Sequence, residues 1–96
     1  MAVHLELFYS PYCQRCRKAR EQVRSFASNW PAERLQFREL DVLKELDRAV
    51  AVGVLQTPSL AIDGELIAGP IPSPRALQTL LRQRLKRQTS HDTADP

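Results

Sequence analysis

The feature that most restricts the fold of this chain is an abrupt change of hydrophobic pattern at Ser10-Pro11. Residues 3–9 alternate apolar and polar side chains and then become fully apolar, which is typical of a β-strand. Over residues 14–28 the apolar positions recur at helical spacing instead, at Cys16, Ala19, Val23, Phe26 and Ala27. The chain therefore begins with a strand that leads almost directly into a helix.

A second strand is predicted over residues 34–41. A strand–helix–strand unit of this kind requires a parallel pair joined by a right-handed crossover. The apolar positions from Val42 to Val50 have helical spacing, and Gly53 is a natural end for that helix. The first half of the chain is therefore expected to supply the parallel part of a sheet.

The following residues predict an antiparallel hairpin and a last helix. Residues 58–62 are a short apolar run, Asp63-Gly64 is a strong hairpin signal, and residues 65–68 pair back on the run. Ser73 is a good N-cap with Pro74 at the first helical position, and the leucines beyond them are spaced as one buried stripe.

Together these patterns predict an α/β fold of order β-α-β-α-β-β-α, with a mixed four-stranded sheet and helices on both of its faces. A chain of 96 residues suits a single domain, which we expect to span residues 1–87. Residues 88–96 are polar and aperiodic, so a disordered C-terminal tail is predicted there.

Cys13 and Cys16 lie where the first strand meets the first helix, and this placement points to redox chemistry. Unpaired N–H groups and the helix dipole stabilise a thiolate at a helix N-terminus, and Arg15, Arg17 and Lys18 add positive charge nearby. The pKa of Cys13 should therefore lie below that of a free thiol, while Cys16 should be more buried and more ordinary. This asymmetry suits one attacking thiolate and one thiol that resolves a mixed disulfide.

Composition and histidine placement argue against several other classes. His4 in a strand and His91 in the tail lack zinc-ligand spacing to the cysteines, so no metal is expected, although a site shared between two chains stays an alternative. The net charge of +3 comes without a nucleic-acid motif, so no nucleic-acid partner is expected. With no membrane span and no secretory signal, we expect a cytoplasmic monomer.

Several motifs between Val3 and Arg87 occur in an order and at a spacing that indicate a family resemblance. They are Phe8-Tyr9-Ser10-Pro11-Tyr12-Cys13-Gln14-Arg15-Cys16, Leu40-Asp41-Val42, Gly53-Val54-Leu55-Gln56-Thr57-Pro58, Ala61-Ile62-Asp63-Gly64-Glu65 and Pro72-Ser73-Pro74. In this order and spacing the chain resembles the thioredoxin-fold superfamily, nearest to its small glutaredoxin-like and thioredoxin-like redox proteins.

The resemblance implies that Cys13 is the nucleophile and Cys16 the resolving thiol. It also implies that Pro58 follows a cis peptide bond, that its loop packs against Cys13, and that Thr57 offers backbone hydrogen bonds to a substrate. Leu7 stands where thioredoxins carry a buried acid, six residues before the nucleophile. At this position the chain departs from the family's pattern, and no carboxylate there can assist Cys16.

These observations predict a thiol–disulfide oxidoreductase, a dithiol reductase that acts on protein or small-molecule disulfides. No bound organic cofactor is expected, because the electrons reside on the redox-active Cys13–Cys16 pair and a separate reductase restores them. A glutathione-dependent glutaredoxin is an alternative enzyme, and a metal- or cluster-binding protein and a non-catalytic adaptor are alternatives of other classes. The residues predicted to contact substrate are Tyr12, Gln14, Arg15, Thr57 and Pro58.

Overall fold

The computed structural model describes the backbone of residues 2–94 and the side chains of residues 2–87. The elements occur in the predicted order, and only the end of β4, the start of α2 and the end of α3 differ clearly from expectation. The elements are β1 (Val3–Tyr9), α1 (Gln14–Ala27), β2 (Leu35–Asp41), α2 (Leu46–Val52), β3 (Ser59–Ile62), β4 (Glu65–Leu66) and α3 (Pro74–Ala94).

The four strands form one mixed sheet in the order β2-β1-β3-β4. β1 and β2 run parallel and in register from Val3 opposite Leu35 onward, as the crossover through α1 requires. β3 runs antiparallel to β1, with Phe8 opposite Ser59, and β4 runs antiparallel to β3 across the Asp63-Gly64 turn. The predicted mixed four-stranded sheet of an α/β fold is confirmed.

The two faces of the sheet bury separate apolar clusters because strand side chains alternate in direction. On one face Leu5 of β1 packs in a cluster with Val23 of α1 and Leu77 of α3. On the other face Phe8 of β1 packs in a cluster with Ala49 of α2. Helices therefore cover both faces, as predicted.

The second helix begins later than its apolar pattern suggests, at Leu46 rather than near Val42. The Asp41 carboxylate accepts a hydrogen bond of 2.9 Å from the Leu43 N–H, and the Asp41 carbonyl accepts one of 2.8 Å from the Glu45 N–H. Side-chain bonds of this kind stabilise a turn in competition with a helix. The predicted start is corrected because the aspartate at the end of β2 holds the chain in a turn.

The end of α2 agrees with the sequence prediction, whereas the end of α3 does not. Gly53 ends α2 as predicted, with a φ of 93° that suits glycine. α3 does not end at Arg87 but continues to Ala94, since no glycine or proline interrupts the chain between Pro74 and Pro96. The predicted tail is thus corrected to helix over 88–94, and residues 95–96 lie outside the described residues. No described helix is long and apolar enough to cross a membrane.

Candidate active site

Cys13 is the N-cap residue of α1, and its sulfur serves as the capping group. Its backbone is extended, with φ −100° and ψ 114°, and its Sγ accepts the Cys16 N–H at 3.2 Å. The turn at Ser10-Pro11 delivers it there, since the Cys13 N–H donates to the Ser10 carbonyl at 3.2 Å. Both thiols are free, with Cys13 half-buried and Cys16 buried against the core.

The loop before β3 reaches the same sulfur. β3 lies antiparallel to β1 with Ser59 opposite Phe8, so the residues just before β3 lie beside the end of β1 that leads to Cys13. The Thr57–Pro58 peptide bond is cis, and the Cys13 thiol donates to the Thr57 carbonyl at 3.7 Å. The fold therefore brings together three of the residues that the sequence singled out: Cys13, Thr57 and Pro58.

The two thiols have opposite pKa shifts. Hydrogen bonds from the Cys16 thiol and backbone N–H, from the Thr57 side chain and from the Arg15 backbone N–H hold the pKa of Cys13 below its ordinary value. Burial raises the pKa of the Cys16 thiol, and its hydrogen bond to Cys13 raises it further. The thiolate form is therefore favoured at Cys13 and the protonated thiol at Cys16.

The lowered pKa of Cys13 has one of the causes that the sequence suggested, the backbone N–H groups at the start of α1. The charges of Arg15, Arg17 and Lys18 are not among the leading causes of the Cys13 shift, which are short-range hydrogen bonds. All three side chains are exposed, so water screens their charges. The direction and the backbone contribution agree with expectation, and the contribution of the three cations stays a prediction.

A cavity of about 440 Å³ opens beside the cysteine loop. Predicted residues Arg15, Thr57 and Pro58 line it, whereas the predicted contacts Tyr12, 87% exposed, and Gln14 do not. The other lining residues, which the sequence patterns did not single out, are Lys18, Ala19, Gln22, Gln56, Gly69, Pro70 and Ile71. The described lining of the cavity is mostly apolar and includes two cations and no acidic side chain.

A buried carboxylate does lie in β1, but on the face away from the cysteine-side helix. Leu7 is buried in the cluster that includes α1, while the preceding Glu6 points to the α2 face. There Arg48 donates to its carboxylate at 2.7 and 3.0 Å, and Arg38 at 2.6 Å. Arg48 first, and then Arg38, hold the pKa of Glu6 below its usual range, so it is ionised and paired.

This buried acid was not predicted from the sequence, although its position directly before the apolar run Leu7-Phe8-Tyr9 was a signal for it. No group of three or more histidine, cysteine or acidic residues that could hold a metal occurs within the described part of the chain.

Comparisons with a family model and with the sequences of known proteins agree on one protein family. The thioredoxin domain family matches residues 1–82. The chain is 28% identical over 83 residues to a thioredoxin of Methanocaldococcus jannaschii, covering 86% of this chain and 96% of that protein. A probable thioredoxin of Methanothermobacter thermautotrophicus is 28% identical over 64 residues, which cover 67% of this chain and 74% of the relative.

Solved structures agree with the same fold. A mutant thioredoxin from Halobacterium salinarum is similar with a TM-score of 0.70 and 26% identity, covering 84% of this chain and 73% of that one. Mitochondrial thioredoxin 3 of Saccharomyces cerevisiae is similar in fold with a TM-score of 0.66 and 23% identity, covering 84% and 77%.

Proposed function

Because the chain belongs to the thioredoxin domain family, we propose that it is a thiol–disulfide oxidoreductase working as a dithiol reductase. The observation that carries the proposal is the pair of opposite pKa shifts at Cys13 and Cys16. A thiolate is the nucleophile in disulfide exchange, and a lowered pKa increases the thiolate fraction at neutral pH. The cap geometry provides that thiolate at the half-exposed sulfur.

The reaction proceeds in two exchanges. The Cys13 thiolate attacks one sulfur of a substrate disulfide, the substrate S–S bond breaks, and the leaving sulfur takes up a proton. Cys16 then gives up its proton and attacks Cys13 Sγ, so the Cys13–Cys16 bond forms and the second substrate sulfur leaves as a thiol. Two electrons have passed to the substrate, and a separate reductase then supplies two more to reduce the Cys13–Cys16 disulfide.

The substrate lies over the cavity beside Cys13. The Thr57 backbone offers hydrogen bonds to an extended segment, while Pro58 and Ile71 offer apolar contact. Exposed Tyr12 and Gln14 lie next to Cys13 in sequence and contact the part of a protein substrate beyond the cavity. We also propose that the protein acts as a monomer in the cytoplasm, because one chain supplies every group and free thiols persist in reducing compartments.

The test is single-turnover reduction of a disulfide-linked peptide by the pre-reduced protein, with no other reductant present. The wild type should consume one equivalent of disulfide and become oxidised. Cys13→Ser should not react, whereas Cys16→Ser should stop as a mixed disulfide with one peptide attached, detected by intact mass. If Cys13→Ser reduces the peptide as the wild type does, the proposal fails.

A glutathione-dependent glutaredoxin is the second candidate, and the cations of the cavity favour it. Arg15 and Lys18 lie with Thr57 around one opening, where the carboxylates of glutathione could pair with them. Under this alternative, Cys16→Ser would still turn over a glutathionylated substrate with glutathione as the reductant. A complete loss of that activity in Cys16→Ser would exclude the glutaredoxin mechanism, and only the dithiol mechanism would remain.

A further inference from the structure

A second cavity lies at the other end of α1 from Cys13. Its volume is about 590 Å³, and the residues that line it are Phe26, Asn29, Trp30, Pro31, Arg34, Pro74, Arg75, Gln78 and Arg82. α1 has 14 residues at about 1.5 Å each, so this arginine cavity is about 20 Å from the cysteine site. It is a separate feature of the molecule.

The arginine cavity concentrates positive charge without a counter-charge. Across residues 2–87, six other arginines form ion pairs, while Arg34, Arg75 and Arg82 form none with a described acidic group. Among residues 2–87, no aspartate or glutamate lines the cavity. Guanidinium groups match phosphate oxygens in geometry as well as in charge. The cavity is therefore suited to an anionic ligand that the protein binds from solution.

The geometry of α3 directs these groups to one place. Arg75, Gln78 and Arg82 are spaced by three and four residues, so they share one face of the helix, and Arg34 approaches from the segment before β2. The cavity adjoins the N-terminal turn of α3, which contains no acidic residue. The positive end of the helix dipole therefore adds to the arginine charges.

Aromatic surface adjoins the charges. Phe26 and Trp30 lie with ring centroids 6.1 Å apart, both half-buried and both lining the cavity, with the Asn29 amide between them in sequence. An aromatic plane offers a stacking surface for a base, and an amide offers donors and acceptors to a base edge. The cavity volume is within the range for one small ligand.

We propose that the arginine cavity binds a nucleotide, with Arg34, Arg75 and Arg82 on the phosphates and Trp30 against the base. This site is separate from the proposed redox site, because none of these residues lines the cysteine cavity. The unpaired arginines match the phosphates of such a ligand, and the adjacent aromatic pair matches its base.

The test uses Trp30, the single tryptophan of the chain, as the probe. ATP should quench its fluorescence and bind more tightly than either adenosine or inorganic tripolyphosphate alone. Arg75→Gln and Arg82→Gln should each weaken ATP binding by about tenfold, the loss expected for one charge-assisted contact. The control Arg87→Gln, which removes a charge from the same helix outside the cavity, should leave binding unchanged.

Three results would overturn the proposal. One is the absence of any ATP response in fluorescence or melting temperature at about 1 mM, the weakest affinity of interest. Another is equal weakening by Arg87→Gln, which would mean that only net charge matters. The third is equal binding of tripolyphosphate and ATP, which would mean that Trp30 takes no part.

Discussion

The reactivity of Cys13 rests on hydrogen bonds that reach a single sulfur from two parts of the chain. The Cys16 N–H and thiol come from the first turn of α1, and the Thr57 side chain comes from the loop before β3. Hydrogen bonds to the charged form of a group favour that form at short range, whereas exposed charges are screened by water and salt. The thiolate is therefore stabilised by contacts that single substitutions can remove.

Replacing Thr57 by valine tests this at the scale of one residue. Thr57→Val keeps the carbonyl and the approximate volume but removes the side-chain hydrogen bond, so the pKa of Cys13 should rise. The rate of iodoacetamide alkylation at neutral pH should fall several-fold, with its midpoint moved to higher pH. The control is Thr79→Val, whose hydroxyl bonds the Arg75 carbonyl on α3 and should leave the profile unchanged.

At the scale of the elements, Glu6 joins three of them on the α2 face of the sheet. Its carboxylate, in β1, receives hydrogen bonds from Arg38 of β2 and from Arg48 at the start of α2. The carboxylate is 2% exposed, whereas the two arginine side chains remain partly in water. The group is therefore a cross-link between elements whose acid must stay ionised.

Glu6→Gln should lower the free energy of unfolding at pH 7 by about 2 kcal/mol, the usual contribution of hydrogen bonds to a buried charged group. Because Arg48 and Arg38 lower the pKa of folded Glu6, its stabilisation is complete above the usual 4.5 and is lost as pH falls through the folded value. Urea unfolding across pH should therefore be flatter for the variant at acid pH.

The matched control is Glu33→Gln, at an exposed position before β2, which should leave the urea midpoint unchanged. If Glu6→Gln were as stable as the wild type at pH 7, the cross-link would have no energetic role.

At the scale of the whole molecule, charge is distributed unevenly over a surface with a net charge of +3. Arg20 and Arg24 pair with Glu39, and Arg38 and Arg48 pair with Glu6. At the cysteine cavity, Arg15 and Lys18 form no ion pair with a described acidic group. Clefts lined by one sign of charge attract ligands of the other sign. The molecule should therefore reduce acidic disulfides faster than basic ones.

The double variant Arg15→Gln/Lys18→Gln should lower kcat/KM for a disulfide peptide with acidic flanks by about fivefold at low salt, the effect of a weak exposed ion pair. The loss should shrink as salt rises, because screening already weakens the wild-type attraction. A peptide with neutral flanks is the substrate control and should react equally with both proteins. An equal loss for both peptides would mean that the residues act on the thiolate instead.

Local patterns determined much of this protein. The change from strand to helix at Ser10-Pro11 predicts both β1 and α1, and the same change places Cys13 at a helix N-terminus. Asp63-Gly64 predicts the hairpin, and Gly53 predicts the end of α2. These features depend on neighbours in sequence, because hydrophobic periodicity, turn geometry and capping all act within a few residues.

Only the tertiary structure decided which distant groups meet. The Thr57 contact with Cys13 spans 44 residues, and the Arg48 contact with Glu6 spans 42. The first contact follows from the pairing of β3 with β1 and the second from the packing of α2 on the sheet, and hydrophobic periodicity specifies neither. The sequence showed that backbone N–H groups and cations lie near Cys13 in the chain, whereas the contribution of Thr57 to the lowered pKa required atoms that the fold brings together.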